Sequence, residues 1–323
     1  LALLMAFTTA CSSKTENTTT TSQDKDTFTY AINSDPSSTN PINVSDRWGL
    51  TMTNMIYSPL IRVEGDGSLV NELAESTELA KDGLSLTVNL KKGIKWSDGQ
   101  DFTADDVVFT YETKAKKENG NFKSLWINDK PITVEKKDDH TVVFKFPEPS
   151  AAAANNIATE TYIIPKHIYG KVSDFSVKDL QEKPVGTGPY KLVENKRGEY
   201  IKFEANENYY KGKPKVKNVV LRVIQSADTT KVALQKGEID ASYVLPTDIK
   251  DLDTNKLDVY SYSENRIGYL GLNTKTNELK DVKVRQAILY ALNKGDMNKA
   301  AYLDEKYYQN PYSILPPNNP YKT

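Results

Sequence analysis

Hydrophobic and polar positions along the chain recur at two different periods, which predicts a mixture of strands and helices. Apolar side chains occupy every second position at 28–32 and again at 84–90, as in strands with one buried face. Three further apolar runs, at 141–146, 217–224 and 239–243, are bounded by turn-forming residues and also predict strands.

Helical patterns lie between these strands. Thr103 is a candidate N-cap, and Asp106 three residues later completes a capping box ahead of the apolar run 107–111. Residues 228–236 predict a helix that ends at a glycine. Apolar side chains within 284–292 recur at the spacing of one helix face. The alternation of strands and helices predicts an α/β fold class.

The N-terminal segment has a different composition from the rest of the chain. Residues 1–10 are apolar or small, Cys11 follows, and the next stretch is rich in Ser, Thr and Asn. A bilayer-spanning helix needs about 20 apolar residues, so this segment predicts the end of a signal peptide instead. A lone cysteine at this position resembles a bacterial lipobox, with Thr8 where Leu is usual.

We therefore expect residues 1–11 to be the end of a signal that leaves a lipidated Cys11, with the chain beginning inside that signal. Residues 12–27 are expected to be a disordered tether, because their composition cannot bury enough apolar surface to fold. These features predict a protein held on the outer face of the cell membrane, of the Gram-positive type, with the periplasmic face as the alternative. An ordinary secretory signal beside a free cysteine is the alternative.

Charge and residue content narrow the classes of function. Lys and Arg number 42 and Asp and Glu 43, so the basic excess typical of nucleic-acid-binding proteins is missing. The two histidines, His140 and His167, are expected in exposed loops, and no serine has the G-x-S-x-G surroundings of a hydrolase. Zinc would need several converging His or Cys side chains. We expect no enzyme, no metal site, no cofactor and no nucleic-acid partner.

Three blocks of sequence carry the strongest indication of function. The blocks are Lys92-Gly93-Ile94-Lys95-Trp96-Ser97-Asp98-Gly99 within residues 71–107, Val185-Gly186-Thr187-Gly188-Pro189-Tyr190 within residues 185–210, and Gly268-Tyr269-Leu270-Gly271-Leu272-Asn273-Thr274 within residues 268–287. Together they resemble the family-5 extracellular solute-binding proteins, which include oligopeptide, dipeptide and nickel-chelate receptors. The resemblance covers most of the chain from residue 28 to residue 300.

The resemblance implies a periplasmic-binding-protein-like, two-lobed clam with a subdomain inserted in its first lobe. By this mapping the first lobe comprises residues 28–57 and 185–266, and the inserted subdomain comprises residues 58–184. Residues 267–323 are the start of the second lobe. Members of the family run longer and return to the first lobe at their end, so we expect the second lobe to be incomplete. The acidic residue that pairs with a peptide's ammonium group in relatives is expected beyond Thr323.

The resemblance also implies a set of ligand-binding residues at the cleft and hinge. They are Asn33, Ser34, Asp35, Pro36, Ser37, Trp126, Tyr243, Tyr269 and Asn273. The loop 33–37 corresponds to the place where relatives pair backbone groups with an extended ligand as an added strand. Trp126 stands where related pockets have a tryptophan wall, with packing in the subdomain core as the alternative. Trp96, within the first block, is expected to be structural.

The function implied is that of a lipid-anchored substrate-binding protein of an ABC transporter. It would capture oligopeptides by closure of two lobes and deliver them, as a monomer, to permease subunits with cytoplasmic ATPases. Two alternatives remain open. One is a nickel-chelate receptor of the same fold, in which the chelator supplies most of the metal ligands. The other is a peptide-sensing lipoprotein that does not feed import.

Overall fold

The computed structural model describes residues 26–64, 67–150, 152–158, 161–177, 183–262 and 267–310. Within these ranges the fold is mixed α/β, which confirms the predicted class. The strands are β1 (Thr27–Ile32), β2 (Ile61–Val63), β3 (Leu69–Asn71), β4 (Ala74–Leu79), β5 (Ser85–Leu90), β6 (Trp126–Ile127), β7 (Lys130–Pro131), β8 (Thr133–Asp138), β9 (Thr141–Lys145), β10 (Tyr190–Lys196), β11 (Tyr200–Ala205), β12 (Asn218–Val223) and β13 (Ala241–Ser242).

The α-helices are α1 (Arg47–Ile56), α2 (Ala104–Lys114), α3 (Ala153–Ala158), α4 (Lys166–Tyr169), α5 (Ala227–Gln235), α6 (Val282–Ala291) and α7 (Lys294–Tyr302). Short 3-10 helices lie at Lys117–Asn119, Lys123–Leu125, Pro246–Asp251 and Glu305–Tyr307. Among the helices of the described ranges, none has the length and apolar character that crossing a bilayer would require.

The predicted strands and helices appear near their expected positions. Thr103 and Asp106 form the predicted capping box at the start of α2. Gly237 follows α5 with a φ of +69°, a left-handed conformation that glycine adopts without strain. The predicted strand at 239–243 shortens to the two residues of β13, which pair with Tyr30 and Ala31 of β1.

The first sheet has five strands in the order β10-β11-β12-β1-β13. Its β10, β11 and β12 are antiparallel neighbours, whereas β1 runs parallel to both β12 and β13. Thr27 lies opposite Asn218 in this pairing, although 191 positions separate the two residues along the chain. Helix α1 packs on this sheet, and Ile32, Met52 and Phe203 lie in their shared buried core.

The second sheet has four antiparallel strands in the order β4-β5-β9-β8, with α2 packed on it. The side chains of Val88, Val107 and Phe144 form part of a second buried core. Trp96 lies in the same core with 0% exposure, which confirms its expected structural role. Two ribbons, β2-β3 and β6-β7, complete the strand pairs of the described residues.

A tight backbone contact joins the two cores. The amide of Gly188 donates a hydrogen bond to the carbonyl of Ile56, at the end of α1, over 2.8 Å. A Cβ atom on Gly186 would lie 1.9 Å from the same carbonyl oxygen, so only glycine fits there. Ser97, which follows Trp96 of the second core, donates its amide to the Gly186 carbonyl over 2.9 Å. Residues 186–188 are therefore held from both sides.

A buried carboxylate makes the second connection. Glu72 is 5% exposed, accepts hydrogen bonds from the Tyr210 hydroxyl at 2.6 Å and Arg62 Nε at 3.0 Å, and forms an ion pair with Lys211. Burial favours the neutral acid, but hydrogen bonds from Lys211, Tyr210 and Arg62 outweigh that effect and lower the pKa of Glu72. Because Tyr210 and Lys211 follow β11, this ionised Glu72 fastens the first sheet to the second.

The final described part of the chain is more exposed than the rest. No described residue within 240–262 or 267–310 is buried. The predicted helix is present as α6, yet Val284 of its predicted apolar face is 41% exposed, and Leu289, outside that face, is 51% exposed. Helix α7 contacts the 3-10 helix Pro246–Asp251.

Replacement of Glu72 by Gln should lower the free energy of unfolding by about 1.5–3 kcal/mol at pH 7, because charge-assisted hydrogen bonds become neutral ones. The folded-state pKa of Glu72 is lowered. Its stabilising contribution is therefore present above the unfolded pKa of about 4.3 and is lost as the pH falls through the folded pKa. Urea denaturation at pH 7 and pH 3 measures both effects.

The matched control is Glu75→Gln, at an exposed position of β4 three residues further on, which should change stability little. Equal losses for the two variants, or a Glu72→Gln loss that stays the same at pH 3, would contradict the role assigned to the Glu72 carboxylate.

Candidate functional site

The candidate site lies where parallel strands of the first sheet end. The loop 33–37 directly follows β1, and Tyr243 directly follows β13, which is paired in parallel with β1. Ligands of open α/β sheets bind in the crevice beyond the carboxyl ends of parallel strands. The structure therefore brings two of the predicted ligand-binding regions to the same end of the sheet, where these parallel strands terminate.

Side-chain hydrogen bonds anchor the first half of the loop. Asn33 Oδ1 accepts a hydrogen bond from the indole nitrogen of Trp48, on α1, over 2.6 Å. The Asp35 carboxylate accepts both contacts of the Gly198 amide, at 2.9 and 3.0 Å. Since Gly198 lies in the turn between β10 and β11, the loop is tied both to the helix and to the far side of the sheet.

The second half of the loop is tied to the start of α1. Ser37 donates its amide to the Asp46 carboxylate over 3.2 Å and its hydroxyl over 2.5 Å. The same carboxylate caps α1 by accepting from the Gly49 amide at 3.0 Å. Pro36 is buried, whereas Ser34 is exposed. Hydrogen bonds at Asn33, Asp35 and Ser37 thus restrain the loop.

Four aromatic rings and one guanidinium lie beside the loop, and we call them the aromatic cluster. The Arg47 Cζ atom is 4.6 Å from the Tyr243 ring centroid and 5.4 Å from that of Trp48. Arg47 Nη2 also donates to the Tyr262 hydroxyl over 3.0 Å. The Tyr30 and Trp48 ring centroids are 6.2 Å apart. Burial raises the pKa of the Tyr30 hydroxyl, so this phenol stays neutral at physiological pH.

Trp126 lies in a different part of the molecule. It packs against the second core, and its indole nitrogen donates to the Ala115 carbonyl over 2.8 Å. The ring meets Phe122 edge-on at 5.6 Å, and the Lys117 ammonium lies 4.4 Å from its centroid. These contacts account for the residue by packing, and its role as a pocket wall stays a prediction.

Tyr269 and Asn273 lie in the exposed part of the chain. Tyr269 is 85% exposed. Asn273 Oδ1 accepts a local hydrogen bond from the Lys275 amide over 3.1 Å. Among the described residues no hydrogen bond or ring contact links either side chain to the aromatic cluster. Their ligand-binding role also stays a prediction.

The sequence reasoning missed four members of the aromatic cluster, which are Arg47, Trp48, Tyr30 and Tyr262. A local signal was present for the first two, because Asp46 is a favourable N-cap and Trp48, Met52 and Ile56 follow at a spacing of four residues. Tyr262 had no such signal, since it lies 215 positions from Arg47.

His167, a candidate for catalysis or metal binding, lies outside this part of the first sheet. His167 lies in α4 and not in the expected loop, because Pro165 fixes the backbone just before this short helix. His167 Nε2 is 2.7 Å from Asp98 Oδ2, and the ring packs edge-on against Trp96. Within the described ranges no group of three or more His, Cys, Asp or Glu side chains could hold a metal ion. Cys11 lies outside the described residues.

Comparison with known proteins adds a family match. Residues 68–323 match the sequence profile of the bacterial extracellular solute-binding proteins, family 5, middle region. The oligopeptide-binding protein AppA of Bacillus subtilis is 37% identical over 268 residues, which are 80% of this chain and 48% of AppA. The AppA structure in complex with a nonapeptide superposes with a TM-score of 0.76 at 32% identity, over 90% of this chain and 58% of that one.

Two other solved structures are similar. The ABC transporter substrate-binding protein CtaP of Listeria monocytogenes has a TM-score of 0.85 at 36% identity, over 93% of this chain and 62% of CtaP. NikZ of Campylobacter jejuni, in complex with Ni(L-His), has a TM-score of 0.70 at 29% identity, over 85% of this chain and 55% of NikZ. The chain spans about half the length of the curated relative AppA.

Replacement of Asn33 by Ala should lower the free energy of unfolding by about 1–3 kcal/mol, because the indole N–H of Trp48, a residue 8% exposed, loses its acceptor. Urea denaturation followed by circular dichroism measures the loss. Ser34→Ala, at the exposed neighbouring position, serves as the control and should match the wild type. An Asn33→Ala variant as stable as the wild type would show that the Trp48 nitrogen does not depend on the loop.

Proposed function

The chain belongs to the bacterial extracellular solute-binding proteins of family 5, and from that premise we propose that it captures oligopeptides for an ABC transporter. The family consists of solute-binding proteins and not of enzymes, in agreement with the expectation from the sequence. The similarity to AppA, whose solved structure holds a nonapeptide, is the observation that carries the choice of peptides.

The geometry of the sheet edge supports a peptide ligand. Strand β13 is at the edge of the first sheet, and the loop 33–37 is held beside it. An extended peptide added along such an edge is recognised through its backbone, whatever its side chains. The flat rings of the aromatic cluster offer packing surface that suits varied side chains.

The proposed ligand-contact set combines geometry with family resemblance. The loop 33–37 and Tyr243 are supported by their position at the carboxyl ends of parallel strands. Trp126, Tyr269 and Asn273 join the set through resemblance alone.

A two-lobed clam is the proposed architecture. The first lobe would comprise residues 28–57 and 185–266, with 58–184 inserted and a second lobe starting at 267. The separate hydrophobic cores of the two sheets support a distinct inserted part. The exposed apolar side chains of α6 support the packing of further chain against it. Closure of the lobes on a peptide would follow the hinge behaviour of such clams.

The proposed setting is the outer face of the cell membrane. Lipidation at Cys11 would anchor the protein, and the residues that follow it would serve as a tether that lets the binding part reach outward. The expected tether 12–27 is too long at its end, because Asp26 and Thr27 pair with Asn218 of the first sheet. Permease subunits with cytoplasmic ATPases would be the partners of a monomeric receptor.

A nickel-chelate receptor is the second candidate, favoured by the similarity to NikZ with its bound Ni(L-His). In that case the chelator would supply most of the ligands of the metal. A peptide-sensing role is distinguished by transport, because deletion of the gene would then leave peptide uptake unchanged.

The ligand class is tested on the full-length gene product, purified without its lipid. A random pentapeptide pool should raise its melting temperature by several degrees, since ligand at 100-fold its Kd adds about 2.7 kcal/mol of stability. Small-angle X-ray scattering should show a smaller radius of gyration with the pool. The nickel–histidine complex should change neither value. A shift with the chelate and none with the peptides would replace this proposal by the second candidate.

The anchor is tested by metabolic labelling with an alkyne fatty acid. The wild type should carry the label and sediment with membranes, whereas Cys11→Ser should lose the label and appear in the medium. Ser12→Ala, at the adjacent position, should behave as the wild type. An unlabelled wild type, or a labelled Cys11→Ser variant, would rule out lipidation at Cys11.

A further inference from the structure

The segment 243–262 leaves the first sheet after β13, and both of its ends meet the same side chain. The Tyr243 ring lies 4.6 Å from Arg47 Cζ, and the Tyr262 hydroxyl accepts from Arg47 Nη2 over 3.0 Å. Arg47 is the first residue of α1, the helix that packs on the first sheet. One guanidinium therefore gathers the two ends of this segment onto α1.

The middle of the segment has its own anchor on α5. Lys231 pairs with Asp248 at 3.4 Å and with Asp251 at 2.9 Å. Gln235 donates to the Asp251 carbonyl over 3.0 Å. Val244 and Leu257 are only partly buried against a small third core. The segment has no buried residue of its own, so these polar, cation–π and partial packing contacts, together with the contact of α7 with the 3-10 helix Pro246–Asp251, hold it in position.

The Arg47 guanidinium is also linked to the loop 33–37 through one residue, Trp48. Arg47 Cζ is 5.4 Å from the Trp48 ring, and the Trp48 indole donates to Asn33 at the start of the loop 33–37. A shift of Arg47 therefore affects both the Trp48 ring, which supports the loop, and the segment 243–262.

We propose that Arg47 is a positioning residue for the ligand cleft. Its guanidinium holds the segment 243–262 against α1 and the loop 33–37, and so sets where Tyr243 meets a bound peptide. The ligand cleft rests on the proposed function, whereas the contacts by which Arg47 holds the segment do not.

Arginine suits this task for a physical reason. A planar guanidinium stacks on an aromatic face while its in-plane N–H groups donate hydrogen bonds, and Arg47 makes both kinds of contact, with Tyr243 and Tyr262. A lysine ammonium is a compact charge and cannot reproduce both contacts at once. The Arg47→Lys variant should therefore loosen the segment 243–262 less than an apolar replacement does.

Hydrogen exchange measured by mass spectrometry on the full-length gene product tests the holding role without any ligand. Arg47→Met should speed amide exchange within 243–262 by about tenfold, with Arg47→Lys intermediate and the amides of β11 unchanged. Lys202→Met is the matched control, because Lys202 also lies over a tyrosine, 4.2 Å from the Tyr200 centroid, on an exposed face. Exchange in 243–262 that stays at the wild-type rate in Arg47→Met would overturn the proposal.

A double-mutant cycle separates a direct contact from general loosening. Tyr243→Leu should speed exchange in 243–262 as Arg47→Met does, and the double variant should be little faster than either single one. Tyr262→Phe, which removes only a hydroxyl, gives a milder version should Arg47→Met fail to fold. Fully additive effects of Arg47→Met and Tyr243→Leu would show that the two side chains act independently and would overturn the proposal.

The random pentapeptide pool tests the positioning role. Arg47→Met should weaken pool binding by about tenfold and Lys202→Met should not. Faster exchange with unchanged pool binding would show that Arg47 holds the segment without positioning the cleft, against the proposal. A wild type that binds no peptide would refute the proposed function, and the exchange data would still decide whether Arg47 holds the segment.

Discussion

Backbone hydrogen bonds between β1 and its parallel neighbours are the constraint on which the other features depend. The pairing of Thr27 with Asn218 closes a loop of 191 positions, and the pairing of Tyr30 with Ala241 adds the next strand. Closing a loop of this length has an entropic cost that rises only slowly with length. The buried side chains of the first core offset that cost, and the carboxyl ends of the paired strands then define one site.

The long loop closed by this pairing contains a second sheet with its own core, and its attachment is specific. Gly186 lies too close to the end of α1 for any side chain to fit. Ser97, beside the second core, donates a hydrogen bond to the same backbone. Glu72 adds a buried charge that Tyr210 and Lys211, which follow β11 of the first sheet, help to stabilise. Several residues of the family-like blocks therefore act in structure, which explains why the blocks identify a family more firmly than a ligand.

The features of the candidate site likewise do not identify one ligand. A held loop beside an edge strand can recognise the backbone of an extended ligand, and aromatic rings can pack against many side chains. Neither feature selects one peptide sequence. Specificity among ligands would come from how far the segment 243–262 lies from the loop, a distance that Arg47 helps to set through Tyr243 and Tyr262.

Local pattern by itself determined the elements. The alternation in β5 and the capping box of Thr103 and Asp106 predicted a strand and a helix, because both depend on neighbours a few residues away. The family resemblance also predicted a ligand-binding role for the loop 33–37, and that role stays a prediction. Only the tertiary structure decided that Arg47 joins Trp48 to Tyr262, and that Trp126 packs in the second core. Contacts between residues 215 positions apart leave no periodic trace in the sequence, since they depend on how whole elements pack.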